Sequence, residues 1–278
     1  GRIRRHRFRA VAQPLAQVGQ RQQGGLVART RSVECVGLLV EAGAKVGEKE
    51  FGAAIDSASL EVVTIMINGY MDHVGGPAGA NKALIAAAVK VGHPEVFALL
   101  MDRFEVGEKL LQTKFGSESS AAAVAIELGR PTIMRSMLDY GLDPQSVVAY
   151  GSYEPMPLMH AACAEASLET VEILMDRGAD VNHIHAGNAP IHFAVDSSHD
   201  MGDAKRAARY ALVNMLIDKG ADLAVKNASG RTVLQLAPAK DERMRSIIRS
   251  GRTRDCIASA MSADIPSSSG SGMRIMPL

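Results

Sequence analysis

The stretch that decides the fold is Glu169–Ala194, ETVEILMDRGADVNHIHAGNAPIHFA. Its first part spaces apolar residues as a helix with one buried face does, and the helix ends before Gly178, where glycine can adopt the left-handed closing conformation. A short connection containing Gly187 follows. Pro190 then opens a second apolar run, at a position suited to the first turn of a helix. The stretch therefore predicts a junction between two helical units.

The same junction recurs along most of the chain. Its anchor is the residue that follows the L-L-x-x-x element, and the anchors are Gly43, Tyr70, Phe104, Gly141, Gly178, Gly220 and Gly251. The spacings between them are 27, 34, 37, 37, 42 and 31 residues. The clearest copies are GLLVEAGAKV at 37–46, EILMDRGADV at 172–181 and NMLIDKGADL at 214–223. Spacing that is irregular but related indicates an internal repeat.

The junction resembles the ankyrin-repeat family, whose period is ~33 residues. Ala189–His192 stands on the family's T-P-L-H positions, and Gly230–Thr232 matches the G-R-T that opens a family repeat. The resemblance implies an all-α ankyrin-repeat solenoid of about seven helix-turn-helix repeats with short hairpin fingers. We place it at 26–251, after a flexible basic arm at 1–25 and before a flexible Ser/Gly-rich tail at 252–278.

Three departures from the family pattern lead to structural expectations. Ala189 replaces the capping threonine, so a side-chain hydrogen bond worth ~1 kcal/mol should be missing. In repeat five, counting forward from Met156 puts Met159 on the family's histidine position, whereas counting backward from Gly178 puts His160 there. A charged, Ala-rich insertion at 198–209 is expected either to lengthen the helices of repeat six or to form a projecting loop.

Composition favours thin helical layers over a sheet core. The 278 residues are 47% hydrophobic and 4% aromatic, without tryptophan. Cys35, Cys163 and Cys256 form no paired motif, which argues against a disulfide framework or a zinc site, and Cys163 is expected in the core. No apolar run reaches the ~20 residues of a membrane helix. We therefore expect an intracellular protein, cytoplasmic or nuclear. The start at Gly1, without methionine, suggests a fragment.

Charge is distributed unevenly. Residues 1–33 carry eight arginines and no acidic residue, so the formal total of +1 leaves −7 for the rest, since 1 − 8 = −7. Such an arm suits nuclear import, contact with nucleic-acid phosphates or an organelle transit peptide. The sequence favours the alternative, a solvated remnant of an upstream region. A single aromatic residue of the Phe, Tyr or Trp type, Phe8, lies among these arginines, which is too little for a base-stacking surface, so nucleic acid is an expected partner only through this arm.

Histidines offer the only hint of site chemistry. His183, His185, His192 and His199 lie close in sequence, but no further ligand stands at a known metal-binding spacing. In the family, the T-P-L-H histidine bonds to backbone, which accounts for His192 and His160 as scaffold residues. The sequence carries no nucleophile elbow, phosphate-binding loop, dinucleotide fingerprint or H-E-x-x-H motif. We therefore expect no enzyme, cofactor or metal.

The resemblance implies that a protein partner binds the concave face. The candidate finger residues are His183, Ile184, His185, Val225, Lys226 and Asn227; the candidate inner-helix residues are Lys90, Glu127, Glu165, Phe193 and Asp196. The long connection at 143–154 adds Tyr150 and Tyr153, which we expect to be exposed. The predicted function is a monomeric, non-catalytic protein-interaction module. The alternative is the regulatory repeat region of a larger enzyme or receptor.

Overall fold

A computed structural model describes residues 33–41, 54–55, 59–74, 82–104, 111, 119–151, 154–196 and 203–251. The helices of this part of the chain are α1 Val33–Glu41, α2 Leu60–Val74, α3 Lys82–Val91, α4 Pro94–Phe104, α5 Ala121–Glu127, α6 Pro131–Asp139, α7 Leu158–Ala164, α8 Leu168–Asp176, α9 Pro190–Val195, α10 Asp203–Asp218 and α11 Val233–Leu236. Residues 242–251 form a further helix, α12. Two short strands, β1 Val147–Val148 and β2 Met156–Pro157, pair antiparallel between α6 and α7.

The helices alternate between two layers. Helices α3, α5 and α7 stack on one another in the inner layer, while α2, α4, α6 and α8 stack in the outer layer. Within each repeat the inner helix packs on the outer helix that follows it. The chain divides into two compact units, Gly1–Asp180 and Val181–Leu278. In the second unit, α9 packs on both α10 and α11.

Small side chains let the inner helices approach closely. In α5 every residue from Ala121 to Ile126 is buried, and four of those six are alanines. The outer helices bury larger residues at helical spacing; α4, for example, buries Val96, Phe97, Leu100, Met101 and Phe104. Cys163 is fully buried in α7, as expected of a core residue. The core therefore lies between the two layers.

A residue in the left-handed conformation joins the inner helix to the outer helix in repeats three, four and five. Gly92 has φ +81° and Gly129 has φ +58°, each two residues before the proline that starts the outer helix. Repeat five uses Ala166 at the equivalent place, with φ +57°. A Cβ atom added at Gly92 would lie 2.7 Å from Nε of Arg130, whose Nη2 donates to the Lys90 carbonyl. The turns of successive repeats thus contact each other.

The outer helices are also linked at their C-terminal ends. The Tyr140 hydroxyl donates to Asp102 at 2.7 Å, and Arg177 forms an ion pair with Asp139 at the same distance. In each case the residue that follows an outer helix contacts an aspartate near the end of the preceding outer helix, 38 residues earlier in the chain. Burial and then the Asp102 carboxylate raise the pKa of Tyr140 to about 12, so its hydroxyl keeps its proton at neutral pH.

Helix starts settle the register of repeat five. His192 is the third residue of α9 after the capping residue Ala189, and Gln235 holds the same position in α11. In α7 that position belongs to His160, which is fully buried. Counting backward from Gly178 is therefore correct. Ala189 lacks a side-chain cap, as its sequence predicts.

The described part of the insertion lengthens the outer helix. Helix α10 has 16 residues, whereas α8 has nine, and its first residue is Asp203. Helix α9 has six residues, so the inner helix is not extended. Residues 197–202 lie outside the described part. So do the arm at 1–25, the tail at 252–278 and the histidine at 199.

Candidate recognition surface

The first finger of the second unit, residues 181–189, turns tightly at its tip. His185 and Asn188 exchange two backbone hydrogen bonds of 2.9 Å, while Ala186 and Gly187 both have positive φ, +48° and +76°. This is the geometry of a type I′ turn. Ile184 stands beside the turn with 49% of its surface exposed, the highest value among the exposed large hydrophobic residues of the described chain.

The second finger, residues 224–232, is held by its own asparagine. Oδ1 of Asn227 accepts from the N–H groups of Ser229 and Arg231, at 3.0 and 2.9 Å. Because these bonds engage the amide oxygen, Asn227 shapes the finger, and its predicted role as a partner contact stays a prediction. Lys226 is exposed and pairs through a backbone bridge with Thr232 at the finger base.

The two fingers are fixed to each other. Asn182 Nδ2 donates to the Gly220 carbonyl at 2.9 Å, and its Oδ1 accepts from the Asp222 N–H at 2.8 Å. Nearer the tips, a Cβ atom on Gly187 would lie 3.2 Å from the Cα of Ala228, so the backbones nearly touch. The finger pair, defined as residues 181–189 and 224–232, is therefore a preorganised surface.

His192 is a scaffold residue under the finger pair. Its Nδ1 accepts from the Ala189 N–H at 2.9 Å, so Nε2 carries the proton and donates to the Val225 carbonyl at 3.3 Å. Burial lowers the pKa of His192, and the hydrogen bond to Val225 opposes this effect. The neutral ring suits both contacts. His192 thus hydrogen-bonds to backbone groups, as the resemblance implies.

The inner helix α9 adds two of the predicted residues to this unit. Phe193 is half-buried, and Asp196 is exposed just after the helix. Their backbone carbonyls, with that of Ala194, accept hydrogen bonds of 2.9 to 3.0 Å from Nη1 of Arg209. Arg209 is only 3% exposed. The guanidinium from α10 therefore fixes the end of α9.

One prediction about the first unit is wrong. Tyr150 is not exposed; it is 5% accessible, and its hydroxyl donates to Oε1 of Glu165. The pairing of β1 with β2 turns the expected long loop into a hairpin, which brings the ring inward. Glu165 is consequently half-buried and engaged. Tyr153 lies outside the described residues.

The remaining predicted residues are divided between the units. Lys90 and Glu127 are exposed in the first unit, where Oε1 of Glu127 accepts from Ser119 at 2.6 Å. His183 and His185 are half-buried in the finger pair. The structure thus brings Ile184, His183, His185 and Lys226 together in one unit, and keeps Tyr150 and Glu165 in the other.

Sequence reasoning missed three residues that shape the surface. Arg231 is exposed on the second finger, Asn182 ties the fingers together, and Arg209 holds α9. Asn182 could have been found from its place directly after the G-A-D-V helix end. No sequence signal marks Arg209, because an arginine in a charged insertion is normally solvated.

The described residues show neither a metal-binding cluster nor a helix that could span a membrane. They contain no group of three His, Cys, Asp or Glu residues arranged to hold a metal ion. Of the helices in this part of the chain, none combines the length and the hydropathy that crossing a bilayer requires.

Comparisons with known proteins agree with this geometry. The family model for ankyrin repeats matches residues 122–227 with three copies, so this segment is similar to ankyrin repeats. The fold as a whole is similar to the crystal structure of the human ASB11 ankyrin repeat domain, with a TM-score of 0.61, 18% identity, and coverage of 82% of this chain and 96% of that one. The expected all-α ankyrin-repeat fold is thereby confirmed.

A curated protein is similar to part of this chain. The chain is 27% identical to human B-cell lymphoma 3 protein over 160 residues, which cover 49% of this chain. The match spans about a third of that protein, 35% of its length. Ankyrin repeats are generally protein–protein interaction modules.

Proposed function

We propose that this chain is a non-catalytic recognition module whose finger pair and inner helices bind a partner protein. The observation that carries the proposal is the combination of fixed backbone and exposed side chains in the finger pair. Asn182 and His192 hold the backbone through four hydrogen bonds. Ile184 and Lys226 remain exposed on it.

A rigid surface favours binding because less conformational entropy is lost on association. A loop that orders on binding loses conformational entropy, whereas a preorganised surface loses little. Binding energy then concentrates in a few anchor side chains near the centre of the contact. Ile184 is suited to be such an anchor because its apolar surface is exposed before any partner arrives. Phe193 adds a partly exposed ring on the same unit.

The test is comparative affinity capture followed by quantitative mass spectrometry. The finger variant combines Ile184→Ser with Lys226→Ser. The matched control combines Leu60→Ser with Lys240→Ser, which removes an equally apolar exposed residue, 44% exposed, and an exposed lysine away from the fingers. Both variants should keep the circular dichroism and unfolding midpoint of the wild type.

The expected result is a partner whose recovery falls about tenfold or more in the finger variant and is unchanged in the control. Recovery of the same proteins in equal amounts with both variants would reject the finger pair as the binding surface. The design omits Tyr150, because its replacement would disturb a buried hydrogen bond instead of a surface.

A further inference from the structure

The finger pair carries two exposed cations. Lys226 and Arg231 are both exposed, and residues 181–189 and 224–232 contain no aspartate or glutamate. Neither side chain forms an ion pair within the described residues, whereas Arg206 and Arg249 of the same unit do. Asp180 and Asp222 flank the finger pair, and Oδ1 of Asp222 accepts from the Ala224 N–H at 2.8 Å, so the only full charges on the fingers themselves are the two cations, which attract negative charge.

The charge of the whole unit has the same sign. The described residues of the second unit, 181–196 and 203–251, contain ten Lys and Arg and six Asp and Glu, a difference of 10 − 6 = +4. The described residues of the first unit contain six Lys and Arg and 15 Asp and Glu, a difference of 6 − 15 = −9. In the full sequence, residues 1–180 contain 18 Lys and Arg and 21 Asp and Glu, a difference of 18 − 21 = −3, so an acidic ligand is favoured at the second unit over the first.

We infer that the finger pair recognises an acidic segment of a partner protein, in which an apolar side chain packs on Ile184 and flanking carboxylates pair with Lys226 and Arg231. This inference rests on the proposed function and specifies the chemistry of its partner. Apolar contact supplies the anchor, and the two cations select the sign of the neighbouring charges.

A protein segment fits this surface better than a nucleic acid does. Single-stranded nucleic acids bind through aromatic platforms on which bases stack, beside a cationic groove. Residues 181–189 and 224–232 contain no phenylalanine, tyrosine or tryptophan. The exposed Ile184 has no counterpart on a phosphate backbone, but it suits a leucine or phenylalanine side chain.

The experiment measures binding of short fluorescein-labelled peptides to the whole chain by fluorescence anisotropy. The first probe has a central leucine flanked on each side by glutamates. The second replaces the glutamates with glutamines, and the third replaces them with lysines. A labelled oligothymidine is the fourth probe. Tight binding is expected only for the glutamate peptide, and raised salt should weaken it because the charges are exposed.

Two double charge reversals locate the interaction. Lys226→Glu with Arg231→Glu should weaken binding of the glutamate peptide by about tenfold or more. Lys219→Glu with Lys240→Glu changes the net charge equally at exposed positions outside the finger pair, and should weaken it by less than about threefold because exposed charges are screened over distance. The single variant Ile184→Ser should weaken binding severalfold without changing the salt dependence.

Several outcomes would overturn the inference. These are equal loss in both double variants, equal binding of the glutamine peptide, preferential binding of the oligothymidine, and no binding of the glutamate peptide. The last outcome leaves the proposed function standing if affinity capture still shows a partner lost only in the Ile184→Ser, Lys226→Ser variant. Failure of the capture comparison, in contrast, removes the proposed function itself.

Discussion

Replacing Arg209 with methionine should destabilise the second unit more than any other loss of a charged side chain there. The side chain leaves α10 and donates from one nitrogen to the carbonyls of Phe193, Ala194 and Asp196. These carbonyls need a donor because α9 stops at Val195, where the backbone of Asp196 becomes extended with ψ 107°. If the helix continued, backbone N–H groups four residues later would donate hydrogen bonds to the carbonyls of Phe193 and Ala194.

The expected loss of unfolding free energy is the contribution of the three hydrogen bonds minus the cost of burying the guanidinium. A hydrogen bond to a charged group contributes about 1.5–3 kcal/mol, so three set an upper bound of roughly 5–9 kcal/mol. Arg209 is almost wholly buried, so its guanidinium pays a desolvation free energy of roughly several kcal/mol in the folded state. The methionine side chain does not have this penalty. Two of the three carbonyls lie at part-buried contacts that water can reach after the change. The net loss should be about 2–3 kcal/mol.

Urea and thermal unfolding followed by far-ultraviolet circular dichroism measure this loss. The midpoint temperature should fall by roughly 5–10 °C for a chain of this size. Arg206→Met is the matched control, because its ion pair with Asp203 is solvent-exposed and should cost at most about 0.5 kcal/mol. Equal effects of the two substitutions would show that the buried guanidinium does not hold α9, and the reasoning would fail.

Three further substitutions test the finger pair. Ala186→Asn should stabilise the protein by about 0.5–1 kcal/mol, measured by urea unfolding, because asparagine tolerates the left-handed backbone that alanine resists; a loss would contradict the turn assignment. Asn182→Ala should cost about 1 kcal/mol by the same measurement, since two hydrogen bonds across the fingers disappear; no change would mean that the bonds are dispensable. His192→Gln should flatten the dependence of stability on pH. The lowered pKa of His192 makes its contribution complete above the ordinary value of 6.5 and smaller as the pH falls below it. The wild type's advantage over the glutamine variant, measured by unfolding at several pH values, should therefore shrink on acidification. An advantage that is constant with pH would reject the argument.

Much of the fold was predictable because short sequence motifs determine the local structure of ankyrin repeats. Glycine before proline marked the turns at Gly92 and Gly129, and both adopt the left-handed conformation. The A-P-I-H run placed the start of α9 correctly, and the missing cap at Ala189 followed from its side chain alone. Repeat five was ambiguous because a single extra residue is compatible with two registers. Only the observed helix start at Leu158 selects His160.

The candidate site was less predictable, because exposure depends on what packs nearby. Tyr150 lies in a polar connection whose composition is typical of an exposed loop, yet β-pairing of Val147–Val148 with Met156–Pro157 carries the ring inward. Asn227 occupies a finger tip, but its amide oxygen serves two backbone groups of the same finger. The partner of Tyr150 lies 15 residues away, and those of Asn227 lie two and four residues away in its own turn, and hydrophobic periodicity encodes neither kind of contact.

The longer outer helix of repeat six links stability to recognition. Arg209 lies in the extension of α10, and the carbonyls that it holds include those of Phe193 and Asp196, two residues of the proposed surface. A substitution at Arg209 touches no partner, but it releases the backbone that presents these side chains. Arg209→Met should therefore weaken partner capture as well as stability, whereas Ala186→Asn should stabilise the chain and leave capture intact. If Arg209→Met lowers the stability and Ala186→Asn raises it, but both variants capture the partner as the wild type does, then α9 is not part of the binding surface. The finger pair alone would then form that surface.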